Sequence, residues 1–386
     1  MHASFMTQNF DAIVLGAGAM GSAAAYYLAK AGQRVLLLEQ FELDHQKGSS
    51  YGSSRVIRYM HDHPIYINLA RAAYQLWFAL EEEAGEKLYI KTGGLDISQP
   101  EQPTFQTRLL CADEAGLDYE YLTAKEVRER FPQFHLDEGM HALYHLDTGY
   151  LRASRCVLAF TRLAQTLGAT LIDQTPVTSI LKRENAVTVQ TMTESYTAER
   201  LVLTAGSWAL ALLAQQGLNI PLSVMPMQLG FFQATPQSEF VPERLPVFYF
   251  HIKDNYGDMP YGIADDGGIG VKVSTCYGRE TVSSPSQVDY TPSLEWIEDI
   301  RQFIRRYVPG VDGKLMSTRR CLYTMTPDKH FIIDSYPDYP HMVIGAGFSG
   351  RGFNFSTIVG KILADLALEG ETEYDTSLFK LSRFQQ

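Results

Sequence analysis

Apolar and polar residues follow each other near the N-terminus with periods that predict a strand, a helix and a second strand. Residues 11–15 form a short β-branched and apolar run, and a glycine-rich turn follows it directly. The alanine-rich segment after the turn has the composition of a helix that ends at Gly32, and a second apolar strand then ends at Glu39. This stretch therefore predicts a strand–turn–helix–strand unit.

The same periodicity predicts the other elements of the chain. Residues 64–84 have an amphipathic helical pattern, and Thr123 and Glu126 form a capping box that opens a short helix. The remaining predicted elements are strands within residues 88–97, a helix over 153–167, a strand at 169–172, a meander over 175–206 that ends in the strand 201–203, a strand-rich aromatic stretch over 222–317 that includes a helix at 293–307, and a strand at 342–345 followed by a glycine-rich turn and a helix to Leu368. Helix–strand alternation thus stops and resumes, which predicts an α/β protein of two interleaved domains in 386 residues.

Charge and composition narrow the class of protein. A net charge of −11 argues against binding of nucleic acid or of an anionic membrane through bulk electrostatics. The N-terminus lacks a basic segment followed by an apolar core, and no apolar run reaches the roughly 18 residues that a membrane span needs. We therefore expect a cytoplasmic protein that does not bind a membrane. Four cysteines without C-x-x-C spacing indicate neither a zinc site nor a disulfide framework.

The turn between the first strand and the first helix has the spacing of a dinucleotide-binding fingerprint. Gly16 permits a tight turn, Gly18 lets the backbone approach a pyrophosphate, and Gly21 lets the helix and strand pack closely. Glu39 ends the second strand, where a carboxylate accepts hydrogen bonds from ribose hydroxyls and repels the 2′-phosphate of NADP. The alternative is an ordinary glycine-rich loop, and the stretch alone does not distinguish FAD from NAD.

Two further stretches carry candidate chemistry. The serine- and glycine-rich loop after Glu39 contains Tyr51, Arg55 and Arg58, which either face an anionic ligand or a cofactor edge or form a solvated basic loop. A second glycine-rich turn, residues 345–352, also precedes a helix, and its helix N-terminus would stabilise negative charge on a flavin ring. The small residues that end at Gly206 suit the underside of a bound nucleotide.

Taken together, these motifs resemble one family of flavin enzymes. The motifs are GAGAMG with its acid, SSYGSSRVIR, GVKV, CLYTMTPDKHFIID, GAGFSGRGFNFS and the late LSRF. They are similar, in order and over nearly the whole chain, to the monomeric sarcosine oxidase and N-methyltryptophan oxidase family of FAD-dependent amine oxidases. The resemblance implies a glutathione-reductase-like, Rossmann-type FAD-binding domain formed by residues 1–91, 153–222 and 318–386. It also implies a mixed-sheet α+β substrate domain formed by residues 92–152 and 223–317.

The resemblance assigns expected roles to individual residues. Cys321 matches the cysteine that carries FAD as an 8α-thioether, although a single cysteine taken alone is more often a small buried hydrophobe. Lys272 matches the lysine beside the flavin that serves the reaction with oxygen, and the alternative is a snorkelling lysine on a solvent face. Arg55 matches an arginine near the flavin, and Tyr261 and Tyr323 match tyrosines of the pocket. The residues expected to bind the cofactor are Gly16, Gly18, Gly21, Glu39, Val177, Gly206, Cys321, Gly347, Phe348, Ser349, Gly350 and Gly352.

The substrate side departs from the pattern of the family. Arg58 matches the arginine that pairs with a substrate carboxylate, but Asn354 stands where the family commonly has a second, lysine cation. Cys276 replaces a pocket histidine, and Arg351 and Tyr51 replace histidines of the glycine-rich turn and of the arginine loop. We expect all five residues to contact substrate, and the departures affect the choice of substrate more than the reaction.

The resemblance therefore implies a monomeric, covalently flavinylated FAD oxidase of secondary amines, most of all N-methyl amino acids. It would use a small-molecule amine and oxygen and would give free amine, formaldehyde and hydrogen peroxide. The alternatives are a dehydrogenase of the same fold that oxidises a cyclic or primary amine with another electron acceptor, and a flavin redox sensor without turnover.

Overall fold

The computed structural model describes residues 7–254, 257–278, 280–337 and 339–384. Its helices are α1 (Ala19–Lys30), α2 (Pro64–Ala84), α3 (Pro103–Glu114), α4 (Ala124–Arg130), α5 (Ala153–Thr166), α6 (Ala209–Gln215), α7 (Leu294–Tyr307) and α8 (Ser356–Glu369). Its strands are β1 (Thr7–Leu15), β2 (Val35–Leu38), β3 (Arg55–Ile57), β4 (Tyr89–Lys91), β5 (Gly94–Ser98), β6 (Glu120–Thr123), β7 (His141–His145), β8 (Gly149–Leu151), β9 (Thr170–Ile172), β10 (Ser179–Arg183), β11 (Ala186–Gln190), β12 (Ser195–Leu203), β13 (Ser223–Phe232), β14 (Val247–Phe250), β15 (Lys253–Asp254), β16 (Gly257–Ile263), β17 (Val271–Tyr277), β18 (Leu315–Met325), β19 (Ile332–Tyr336) and β20 (Tyr339–Ala346).

The first sheet has eight strands and a parallel centre. Strands β9, β2, β1, β12 and β20 pair side by side in parallel, β10 and β11 extend the sheet antiparallel beyond β12, and β19 pairs with β20. Alternate residues of β1 point to opposite faces, so Ala12 and Val14 join the core beneath α1, α5 and α8, while Ile13 and Leu15 join a second core on the other face. A sheet with both faces covered explains why these strands are almost entirely apolar.

The second sheet has nine strands and mixes parallel and antiparallel pairs. Its order is β18-β13-β17-β16-β14-β5-β7-β6, with β15 on β16, and α7 and α4 cover its core. A third sheet, β3-β8-β4, carries Arg55 at the start of β3. The strands of the first sheet come from three separated stretches of the chain, so the interleaved α/β architecture expected from the sequence is confirmed.

Two features differ from the local predictions. Strand β18 belongs to the nine-stranded sheet and runs across residue 318, where the third cofactor-domain segment was expected to begin; the domain boundaries stay predictions. Helix α3 was not predicted, because its buried residues are Phe105, Arg108, Cys111 and Ala112, and a charged residue among them weakens the apolar stripe. Among the residues that the structure describes, no helix is both long and apolar enough to cross a membrane.

Candidate cofactor and substrate sites

The glycine-rich turn after β1 is held by contacts that only glycine permits. Gly16 has φ +96°, and its N–H donates to Leu38 O at 2.7 Å. A Cβ on Gly16 would lie 2.6 Å from Thr204 O, and one on Gly21 would lie 1.8 Å from Gly16 O. The tight turn and the close packing of α1 on the sheet therefore require these two glycines, as the fingerprint predicts.

Glu39 lies at the end of β2 and faces this turn. One carboxylate oxygen accepts from the Ala17 N–H at 2.9 Å, and the other accepts from the Phe41 N–H at 3.0 Å. The side chain is buried on the wall of a cavity, with His45 Nε2 3.6 Å away. Glu39 thus first ties the turn to the end of β2, and its remaining lone pairs are the ones left for a ribose hydroxyl.

A cavity extends from this turn to the second glycine-rich turn, residues 345–352. At its start the Ala19 N–H donates to Ser50 Oγ at 2.9 Å, so the arginine loop closes over the N-terminus of α1. The wall is formed by both turns, the end of β12 and the loop, and it includes Gly18, Glu39, Ser49, Tyr51, Arg55, Gly206, Tyr323, Gly347, Phe348, Ser349, Gly350 and Gly352. Two glycine-rich turns, two helix starts and one acid suit the phosphates and ribose of a dinucleotide, so these residues fit FAD.

Not every predicted cofactor residue lies on this wall. Gly16 and Gly21 shape the turn behind it, and Val177 packs partly buried against the core on the other face of the first sheet. Cys321 is buried on β18, an outer strand of the second sheet, and belongs to the core of that sheet, outside the cavity wall that the described residues form. Its side chain shares one face of the strand with that of Tyr323, two residues later, which does line the cavity.

A second cavity of about 420 Å³ adjoins the first. Five residues line both cavities: Arg55, Tyr323, Ser349, Gly350 and Phe353. The second cavity brings together Arg58, Tyr261, Lys272, Cys276, Arg351 and Asn354, which the sequence had assigned to catalysis and substrate. Its volume suits a small organic substrate.

Lys272 lines the second cavity beside Arg55, a residue of both cavities, because the two side chains donate to the same Ser54 O. It is 1% exposed, and its Nζ donates to Ser54 O at 2.9 Å. Burial, followed by the nearby charges of Arg55 and Arg319, holds the Lys272 pKa well below its ordinary value. The alternative of a lysine that snorkels to solvent is therefore excluded.

Arg55 is fixed by backbone carbonyls rather than by an acid. Its guanidinium donates to Ser49 O at 2.7 Å, Tyr51 O at 2.9 Å and Ser54 O at 2.8 Å. No carboxylate is among these partners. Arg55 lines both cavities, so its positive charge lies where they adjoin. Tyr51 lies under another cation, with the Arg319 guanidinium 4.8 Å from its ring centre.

The aromatic wall of the second cavity is made of neutral groups. Tyr261 stacks on Tyr249 with ring centres 5.5 Å apart, and burial raises the pKa of both phenols. Burial also raises the pKa of Tyr323 well above its ordinary value and the pKa of the Cys276 thiol to about 12. These side chains therefore line the cavity in their neutral forms. They offer it apolar surface together with hydroxyl and thiol hydrogens.

Arg58 has an acidic partner within the protein. Its Nη1 lies 3.2 Å from Asp96 Oδ1, and the same oxygen accepts from Arg108 Nη1 at 2.5 Å and contacts His251 Nε2 at 2.6 Å. Burial alone would raise the pKa of the Asp96 carboxyl. The positive charges of Arg108 and Arg58 beside it hold that pKa far below its ordinary value. The sequence predicted Arg58 but missed three partners that lie far apart in the chain: Asp96 on β5, Arg108 on α3 and His251 directly after β14.

Arg351 and Asn354 are two of the residues that depart from the family pattern. Arg351 Nη1 pairs with Asp62 Oδ1 at 3.0 Å, so its charge is balanced within the wall. Asn354 is buried, and its backbone carbonyl accepts from Trp77 Nε1 at 2.9 Å. Asn354 lines the second cavity, whereas Arg351, paired with Asp62, is not an unpaired replacement for the missing lysine.

Comparison with known proteins gives a consistent family. Residues 11–366 match the model of the FAD dependent oxidoreductase family. The chain is 35% identical over 381 residues to the monomeric sarcosine oxidase of Bacillus sp. (strain NS-129), with 98% of each chain covered. It is 30% identical to the N-methyl-L-tryptophan oxidase of Salmonella arizonae, covering 98% of this chain and 100% of the relative.

A solved structure has the same fold. NikD, described as an unusual amino acid oxidase essential for nikkomycin biosynthesis, superposes with a TM-score of 0.88 at 25% identity, covering 97% of this chain and 98% of that one. The matches extend over both cavities and all three sheets. The chain belongs to the FAD-dependent oxidoreductase family, as an enzyme related to sarcosine and N-methyltryptophan oxidases that acts on CH–NH groups.

Proposed function

We propose that the protein is an oxidase of N-methyl amino acids that uses oxygen as its electron acceptor. One observation carries the proposal. The cavity beside the cofactor site combines the guanidiniums of Arg58 and Arg108 with an aromatic wall and with the buried side chain of Lys272. A carboxylate bound by the arginines would place the neighbouring amine against the aromatic wall. Such an arrangement suits an amino acid, because the cations on the wall disfavour the charged ammonium form of its amine.

FAD held by the two glycine-rich turns would supply the two-electron oxidation of the N-methyl amine to an imine, with oxygen as the final acceptor and hydrogen peroxide as its product. Hydrolysis of the imine by water gives formaldehyde and the free amine. The side chains of this protein bind, orient and exclude water. Arg55 would supply a permanent positive charge where oxygen is reduced, Lys272 would add a second when its amine is protonated, and Tyr261 and Tyr249 would line the substrate cavity. The reaction needs no acid–base dyad at the reacting carbon, because the amine reacts in its neutral form.

We also assign Cys321 as the covalent attachment point of the cofactor. Its support is position: β18 places it on the face shared with Tyr323, and Arg319 lies two residues before it on the same face. The relatives that are named monomeric sarcosine oxidases support a monomer here. Sedimentation in an analytical ultracentrifuge would test this state.

An anaerobic screen tests the function. The purified holoenzyme is mixed without oxygen with N-methyl amino acids that differ in side chain, and loss of the flavin absorbance near ~450 nm is followed. We expect rapid bleaching by N-methyl amino acids and recolouring with peroxide when oxygen is admitted. Bleaching without recolouring would identify the dehydrogenase instead, and no bleaching by any amine would leave the redox sensor.

The wall near Cys276 predicts a preference for larger substrates. A thiol leaves more space than the imidazole that stands there in the family pattern, and its neutral form adds no charge. We expect kcat/KM for N-methyltryptophan to exceed that for sarcosine. Cys276→His should lower this ratio by roughly tenfold, the usual effect of a few lost apolar contacts.

Steady-state kinetics with both substrates measures the ratio. The matched control is Cys276→Ser, which keeps the space and should change the ratio by less than about threefold. Efficient turnover of sarcosine by the unmodified protein, or an unchanged ratio in Cys276→His, would contradict this description of the pocket.

A further inference from the structure

Arg108 belongs to a buried charge cluster that the family pattern does not explain. Arg58, Arg108 and His251 all bond to one oxygen of Asp96, at 3.2, 2.5 and 2.6 Å. All four residues are at most 9% exposed. Because both guanidiniums reach the same oxygen, they are immediate neighbours.

The cluster has one more positive than negative charge. Burial, followed by the charge of Arg108, lowers the pKa of His251 to about 4, so the imidazole is neutral near pH 7. Two guanidiniums then face one carboxylate. A buried positive charge without a counter-charge is costly, since desolvation is offset only by a partner of opposite sign.

The excess charge faces the second cavity. Arg58, Arg108 and His251 line its wall, and Arg108 Nε is buried without a hydrogen-bond partner among the described residues. Of the other charged side chains on the wall, Asp62 pairs with Arg351, and Asp258 and Lys329 bring one charge of each sign. Arg55, which also lines the first cavity, and Lys272 add no negative charge that could compensate the cluster. The cluster can thus accept one monovalent anion.

We propose that Arg108 is a substrate-binding residue, which together with Arg58 holds the substrate carboxylate. This inference rests on the proposed function and names the contact that sets its substrate class. Asp96 and His251 fix the orientation of the two guanidiniums, so a carboxylate enters a preformed site. Arg108 thereby supplies the second cation that is missing at Asn354 and that Arg351, paired with Asp62, does not provide.

Carboxylate binding can be measured without turnover. Isothermal titration calorimetry of the holoenzyme with benzoate and with its neutral analogue benzamide isolates the contribution of the charge. Arg108→Met should weaken benzoate binding by roughly 10- to 100-fold, as loss of a hydrogen bond to a charged partner does. Benzamide binding should change less than about twofold.

A second variant has the opposite expected sign. Asp96→Asn removes the internal counter-charge while keeping a hydrogen-bonding amide, so benzoate should bind roughly tenfold more tightly. Damage to the fold would weaken both ligands in both variants and cannot produce this pattern. Lys329→Met, which removes a cation from the same wall, is the matched control and should leave benzoate binding within about threefold.

Equal weakening of benzoate and benzamide by Arg108→Met, or weaker benzoate binding in Asp96→Asn, would overturn the assignment. The two proposals fail separately. Selective loss of benzoate in an enzyme whose flavin no amine bleaches would reject the oxidase and keep the carboxylate site. Oxidation of N-methyl amino acids by an enzyme in which Arg108→Met leaves benzoate binding unchanged would do the reverse.

Discussion

Lys272→Met is expected to slow the reaction of the reduced enzyme with oxygen by roughly two orders of magnitude, since an electrostatic contact in a water-excluded site contributes about 3 kcal/mol. Methionine keeps the length of the side chain and removes its amine. Reduction by substrate should change far less, because the substrate is held by other residues. Stopped-flow measurement of the two half-reactions separates these effects.

The matched control is Lys329→Met. Lys329 also lines the second cavity, but its Nζ lies 3.9 Å above the ring of Tyr277 and it is exposed. Removing this cation should leave the oxygen reaction within about twofold of the unmodified enzyme. Equal losses in both half-reactions of Lys272→Met would reject the assigned role.

The same substitution should stabilise the protein near neutral pH. The folded-state pKa of Lys272 lies below the unfolded value, so the unfolded chain binds more protons and the free energy of unfolding is diminished as pH falls below about 10.4. The carbonyl of Ser54 keeps a donor after the substitution, because Arg55 Nη1 also bonds to it at 2.8 Å. We expect a higher melting temperature for apo Lys272→Met at pH 7, with a difference that shrinks toward alkaline pH.

Features that follow from local chemistry were readable in the sequence. Gly16 is required by its φ of +96° and Gly21 by its approach to Gly16 O, both within one strand–turn–helix unit, so their spacing predicted the turn. Lys272 interrupts an apolar strand, and a charge in such a pattern marks a site because burial makes it costly. Both signals are complete within a few neighbouring residues.

Features that depend on distant partners were not readable. Arg108 on a helix looks like a solvated residue unless its partner is known, and that partner, Asp96, lies on β5 of a sheet assembled from separate stretches. For the same reason Arg58 was assigned only to a substrate, although Asp96 holds it in the structure. A buried ion pair has no period in the sequence, so neither half identifies the other.

Cys321→Ser is expected to convert firmly attached FAD into FAD that acid releases. The unmodified polypeptide should stay yellow after acid precipitation and should carry the mass of one FAD, because a thioether between Sγ and the 8α carbon survives denaturation. Serine keeps the size of the side chain, but its hydroxyl is a much poorer nucleophile than a thiolate. Absorbance of the washed pellet and intact-protein mass measure the outcome.

The other cysteines of the site and core provide the contrast. Cys276 lines the second cavity and Cys156 lies in the core beneath the first sheet, so Cys276→Ser and Cys156→Ser should both retain covalent flavin. Only Cys321 lies on the face of β18 that also carries Tyr323 and Arg319. Free FAD released from the unmodified protein by acid, or flavin that stays bound to denatured Cys321→Ser, would show that attachment does not occur at this sulfur.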